Sequence, residues 1–307
     1  MTMNDTPIDP AEDRGARVRS SERLRDPHRL HLALSRLNAR RLLPATPDDP
    51  PCFEDELALA RAEEEFLSHE RAAIAARALE APTDADGFVT WFERLEQDGP
   101  GQHDPLFDWL ARDADRESMR WFLRQELAGE AGFDDLVALT QRRIEPIAKL
   151  ELARNYWDEM GCGHEGGMHG PMLARLGREL DLASHPAEIV WEASALGNVL
   201  MGLAYNRRYA YHSIGALGAV ELTAPGRCEK VVAGLERLGI RSSARRYYAL
   251  HAVIDRKHSE RWDREVLRTL VESDSSRARW LAEGALMRLE AGRRTFERYR
   301  RELGLGS

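Results

Sequence analysis

The segment HAVIDRKH places His251, Asp255 and His258 at offsets 0, 4 and 7, with no proline or glycine between them. At about 100° per residue the three side chains share a strip roughly 60° wide on one face of an α-helix. Two imidazoles and a carboxylate on one strip suit either metal ligation or an acid/base relay. A metal would need further ligands of the same kinds from elsewhere. In ELARNYWDEMGCGHEGGMHG, residues 151–170, a helix carrying Asn155, Asp158 and Glu159 runs into Gly161 and Gly163, and His169 opens the next helical segment. The two glycines can end the helix and let the chain bend, so that Glu159 and His169 converge. Upstream, WFLRQELAGEAGFDDL offers Glu126 and Glu130, one turn apart beside an apolar face. A carboxylate near such a face needs a partner.

Several other chemistries are excluded. His164, Glu165 and His169 resemble a zinc-protease H-E-x-x-H motif, but the second histidine comes one residue late and Gly166-Gly167 interrupts the required helix. No glutamate is followed three residues later by histidine, which removes the ferritin-like di-iron pattern. Three widely spaced cysteines, Cys52, Cys162 and Cys228, argue against a disulfide framework and read as reduced, partly buried thiols. A net charge of -8 gives no support to nucleic-acid or anionic-membrane binding. No apolar run is long enough to span a bilayer and the N-terminus lacks the apolar core of a secretory signal, so the expected location is the cytoplasm.

The elements that must position these residues read as helices. At 307 residues, 43% hydrophobic and 31% charged, the chain can bury a sizeable core. Residues 1–20 are polar and mixed in charge and are expected to form a disordered tail. Residues 21–100 form an N-terminal helical extension broken by PATPDDPP and APTDADG, with a boundary near Gly99-Pro100-Gly101. From residue 101 to 307 the pattern is almost continuously helical, over roughly 115–130, 133–160, 169–181, 186–213, 226–238, 241–271 and 275–303. Strand signals are nearly absent, so the expected fold is an all-α bundle.

Taken together, LARNYWDEMGCGHEGGMH and HAVIDRKHSE resemble the haem-oxygenase-like di-iron oxidases and oxygenases, also described as iron-containing redox enzymes, over residues 105–303. The resemblance implies a haem-oxygenase-like helical bundle binding two Fe(II) ions per chain. It implies as ligands a Glu from an early core helix, then Glu159 and His169, then His251, Asp255 and His258. Glu126 and Glu130 both align with the first Glu, and Glu126 is the preferred assignment. The implied activity is O₂-dependent oxidation of a small organic metabolite by hydroxylation, N-oxygenation or oxidative C–C cleavage. Expected partners are that substrate and O₂, with an electron donor and a second copy of the chain admitted as further partners. Mixed carboxylate and imidazole ligation suits non-haem iron, because hard oxygen donors support its higher oxidation states. Candidate cavity walls are Tyr156, Trp157, Asn198, Met201, Tyr205 and Tyr209, and the segment around ALGAVELTAPGR is assigned to walls rather than ligands. Arg207 or Arg208 is the candidate partner for a substrate carboxylate. Two readings compete. One is a metal-free, thiaminase-like or cofactor-assembly protein of the same fold using the His/Asp strip for acid/base work. The other is a non-catalytic helical interaction protein, supported by charged helices such as EDELALARAEEEFLSHERAAIAARAL.

Overall fold

The computed structural model describes residues 26–44, 46, 48, 53–129, 132–183 and 188–306. The expected tail, Cys52 and Glu130 lie outside these residues. The described chain is helical almost throughout, with no strand. Its helices are α1 (Pro27–Leu42), α2 (Phe53–Ala78), α3 (Ala85–Asp98), α4 (Pro105–Arg112), α5 (Arg116–Gly129), α6 (Phe133–Thr140) and α7 (Pro146–Glu159). They continue with α8 (His169–Glu179), α9 (Trp191–Tyr205), α10 (Ala210–Arg237), α11 (Ser242–Arg261), α12 (Arg268–Ser273) and α13 (Arg277–Glu302). A π-helical stretch, Trp262–Leu267, joins α11 to α12. The all-α architecture is the expected one.

Local chemistry sets several boundaries. Asp26, Asp84 and Asp104 cap α1, α3 and α4, each accepting a bond from a first-turn amide. Two expectations need correction. The helix expected over 133–160 is two helices, because Arg143 takes φ 57° and Pro146 restarts the chain at the first turn of α7. Conversely α10 runs unbroken from Ala210 to Arg237 through Pro225, where a break was expected. Pro225 is buried in the helix and has no N–H to give the carbonyl four residues back, that of Glu221.

α10 packs along α13 and α11 at the centre of the molecule. Its crossing with α13 depends on glycine. A Cβ at Gly215 would lie 1.9 Å from the Leu281 carbonyl oxygen, and one at Gly284 would lie 1.8 Å from that of His212. This close approach fixes the register between the helix bearing Glu221 and Arg227 and the helix bearing Arg288 and Tyr299. Two apolar clusters fill the bundle. One gathers Phe88, Phe92, Leu152, Trp262 and Leu286, and the other gathers Phe107, Phe122, Leu123, Leu235 and Tyr299. Each fully buried large side chain contributes about 1.5–3 kcal/mol. Residues before and after Gly99–Gly101 share the first cluster, so the N-terminal helices are packed into the bundle. No helix among the described residues is long and apolar enough to cross a membrane.

Candidate metal centre

On α7 the buried positions Glu151, Asn155 and Glu159 recur every four residues, so one face of the helix carries polar side chains inward. The helix ends at Gly161, Cys162 and Gly163, all with positive φ. A Cβ on Gly161 would fall 2.3 Å from the Gly167 carbonyl carbon, so the chain doubles back there at a distance only glycine permits. The turn delivers His169, the first residue of α8, to Glu159: His169 Nδ1 lies 2.6 Å from Glu159 Oε2. His251 faces the same carboxylate from α11, its Nε2 4.0 Å from Glu159 Oε1 and its ring 4.6 Å from that of His169. His251 Nδ1 is 2.8 Å from the Tyr247 carbonyl oxygen. A proton on Nδ1 donated to that carbonyl leaves the Nε2 lone pair directed at the site.

Two turns further along α11, at His258, lies a second cluster. His258 Nδ1 is 3.4 Å from Glu221 Oε2 and 4.0 Å from Asp255 Oδ1, and His258 Nε2 is 3.1 Å from Asp158 Oδ2. Asn155 donates to Glu221 Oε1 at 2.6 Å and orients it. Two groups therefore have ligand atoms mutually within 4.8 Å: Glu159, His169 and His251, and Glu159, Glu221 and His258. Glu159 belongs to both.

The electrostatics record the crowding. Burial, with the Glu221 charge adding to it, pushes Glu159 up to about 8. Burial and then Glu221 and Glu159 raise Asp255 well above the usual carboxylate range. Burial and the neighbouring His258 lower His169 to about 4, and burial lowers His251. Burial opposes the His258 cation too, but the neighbouring Glu221 and Asp158 carboxylates outweigh this and raise it to about 9. Asp255 Oδ1, His169 Nδ1 and His258 Nδ1 are buried with no hydrogen-bond partner. An orphaned carboxylate oxygen and buried imidazoles among three crowded carboxylates are what divalent cations would satisfy, so the donor set fits iron. Cys228 lines the adjoining cavity, and burial holds its thiol far above the ordinary range.

Five of the six sequence-predicted ligands, Glu159, His169, His251, Asp255 and His258, are thus brought together. Asp255 adjoins the second group through His258 without belonging to either, and Glu126 is in neither. It lines the same cavity, of about 170 Å³, beside Arg227 and Arg288 and with Tyr299 as its hydrogen-bonding neighbour. The third carboxylate at the cluster is Glu221, which the sequence reading left among the walls. A signal was present: Glu221 is the one acidic residue in the apolar run GALGAVELTAP, and a carboxylate embedded in a buried helix demands a partner.

The predicted walls also need correction. Asn198 is bound to Asn38 and to the His31 carbonyl, Met201 is core, and Tyr205 lies under Arg41. Trp157 is exposed, Tyr156 packs on the first apolar cluster, and Tyr209 donates to Glu64. The cavity lies instead where the two apolar clusters meet, walled by Phe107, Phe122, Leu136, Leu173, Leu196 and Tyr248. Arg207 donates to the Leu139, Thr140 and Arg142 carbonyls, and Arg208 pairs with Glu64, both outside it.

Among curated proteins nothing matches the chain. The sequence pattern of the iron-containing redox enzymes matches residues 120–293, more than half the chain and the span holding every residue of the cluster. An all-helical haem-oxygenase-like bundle with this carboxylate and imidazole pocket is one of that family's members: the chain belongs to the iron-containing redox enzyme family.

Proposed function

We propose that the protein is a non-haem di-iron oxidase or oxygenase that uses O₂ to oxidise a small organic metabolite. The observation that carries this reading is that Glu159 is common to two ligand groups, which suits a carboxylate bridging two cations. In this reading His169 and His251 complete one position, and Glu221, His258 and Asp255 complete the other. Iron bound there would supply the binding and reduction of O₂ and the oxidising power. The protein's residues do the rest. The Tyr247 carbonyl and Asn155 hold His251 and Glu221 in orientation. Asp158, bonded to His258 Nε2, keeps that ring with Nδ1 towards the cluster. The apolar walls exclude water and hold the substrate against the metal side of the cavity. When only part of the oxidising equivalents of O₂ goes into the substrate, an electron donor supplies the balance.

The test is iron content after anaerobic Fe(II) loading, together with oxygen consumption. About two irons per chain are expected for a shared-carboxylate site. His251→Ala and Asp255→Ala should abolish iron-dependent oxygen uptake while leaving helicity intact. Wild-type uptake in either variant, or no retained iron, would refute the proposal, and the latter result would favour the metal-free acid/base reading.

A further inference from the structure

The end of the cavity away from the ligand cluster holds charge that the metal reading leaves unused. Arg227 and Arg288 both line it. Arg288 is 6% exposed, and its Nε and Nη1 are buried without a hydrogen-bond partner. Arg227 donates from Nη2 to Thr223 Oγ1 at 3.0 Å, and its guanidinium lies over Phe107 and Phe296, 6.0 and 5.5 Å from the ring centroids. Those contacts fix its plane and leave Nη1 buried and unpartnered. Neither guanidinium makes an ion pair with a carboxylate among the described residues; the nearest acid is Glu126, whose own charge is disfavoured by burial. Arginine does not shed its proton, so two buried cations face one acid. Leaving buried cations uncompensated is costly, and an anion arriving in the cavity removes that cost.

We propose that Arg227 and Arg288 form a carboxylate-binding subsite that admits an organic carboxylate with an apolar or aromatic body. Along α10, Arg227 is six residues past Glu221, about 9 Å of helix axis. A ligand anchored by its carboxylate therefore lays its body along Phe107, Phe122 and Leu173, towards Glu159 and Glu221. Arginine suits this task because its planar fork pairs both carboxylate oxygens at once. The fate of the anchored ligand rests on the oxidation proposed above, but its binding does not.

The test is calorimetric titration of the anaerobic, Fe(II)-loaded protein, with iron measured on every sample. Hexanoate, octanoate, benzoate and phenylacetate are each compared with the corresponding neutral amide. At least one acid should bind about tenfold or more tightly than its amide. Arg288→Gln and Arg227→Gln should each collapse that ratio towards one, with iron content and amide affinity unchanged. Arg288→Lys should restore part of it. Two variants guard against one failing to fold, which thermal melts monitored by circular dichroism will reveal. Equal affinity for acid and amide in every pair would overturn the proposal. So would an acid preference that survives both glutamine substitutions, since the carboxylate would then be held by metal. Low iron content with an intact, arginine-dependent preference would sink the di-iron reading and leave this one standing.

Discussion

Replacing Asp263 by Asn should stabilise the protein at neutral pH. Asp263 sits in the π-helical stretch after α11, 6% exposed, with Oδ1 lacking a hydrogen-bond partner. Burial, aided by Glu93 and Glu260, raises its carboxyl from the ordinary 3.8 to about 8. Between those two values the native state binds more protons than the unfolded chain, so this residue makes stability fall as pH rises through the window and level off above it. At pH 7 the gap is roughly three pH units at about 1.4 kcal/mol each, giving a ceiling of about 4 kcal/mol. Asn matches the shape of the neutral acid and has no charge to desolvate, so Asp263→Asn should recover about 2–4 kcal/mol at pH 7. For a chain of this size that is on the order of 4–8 °C in Tm. Thermal melts of both proteins at pH 4.5, 6, 7 and 8, at one scan rate and matched iron content, read the difference. Every other titrating group is common to the pair and drops out. The variant's advantage should fall to about 1 kcal/mol or less at pH 4.5 and grow to pH 8. A pH-independent difference, or a variant less stable at pH 7, would refute the reasoning.

Glu221→Gln should lower bound iron towards about one per chain, whereas Glu126→Gln should leave it at the wild-type value, both read by metal analysis; the reverse pattern would return Glu126 to the ligand set. Glu283, fully buried in α13, is held at about 2: burial opposes its charge, but His212 at 2.9 Å, Arg71 at 2.6 Å and Arg279 at 3.0 Å outweigh it. Its contribution is therefore present above pH 4.5 and lost as pH falls towards 2. Glu283→Gln should cost about 2–3 kcal/mol at pH 7, allowing for the partial exposure of both arginines, and the deficit should shrink in acid.

Much of the cluster was legible because it obeys short-range rules. His251, Asp255 and His258 share a face by helical period alone, and Gly161 and Gly163 announce the bend that returns His169 to Glu159. What could not be read depends on long-range packing. Glu221 meets His258 because α10 packs along α11, a contact between helices that their separate patterns do not reveal. Proline in a sequence reads as a helix end, yet here the flanking turns are buried on both sides and hold the helix together. The same packing decides which arginines face the cavity. Arg207 and Arg208 are the sequence candidates for a substrate carboxylate, but the short turn after α9 directs Arg207 to main-chain carbonyls and Arg208 to Glu64. The walls were misplaced for a related reason: helical period identifies a buried face without telling which of two apolar clusters it joins.

The N-terminal helices have a bearing on what the smallest working unit is. The family match begins at residue 120, but Arg71 and Glu70 of α2 reach α13, pairing with Glu283 and Arg294, while Phe88 and Phe92 of α3 are wholly buried in the first apolar cluster. A chain cut at the start of the matched region would strip Glu283 of the Arg71 guanidinium and Arg294 of the Glu70 carboxylate, and would bare apolar residues of the first cluster. The part of the sequence that matches the family is therefore paired with and packed against helices that precede it, and α2 and α3 brace the helix that bears Arg288.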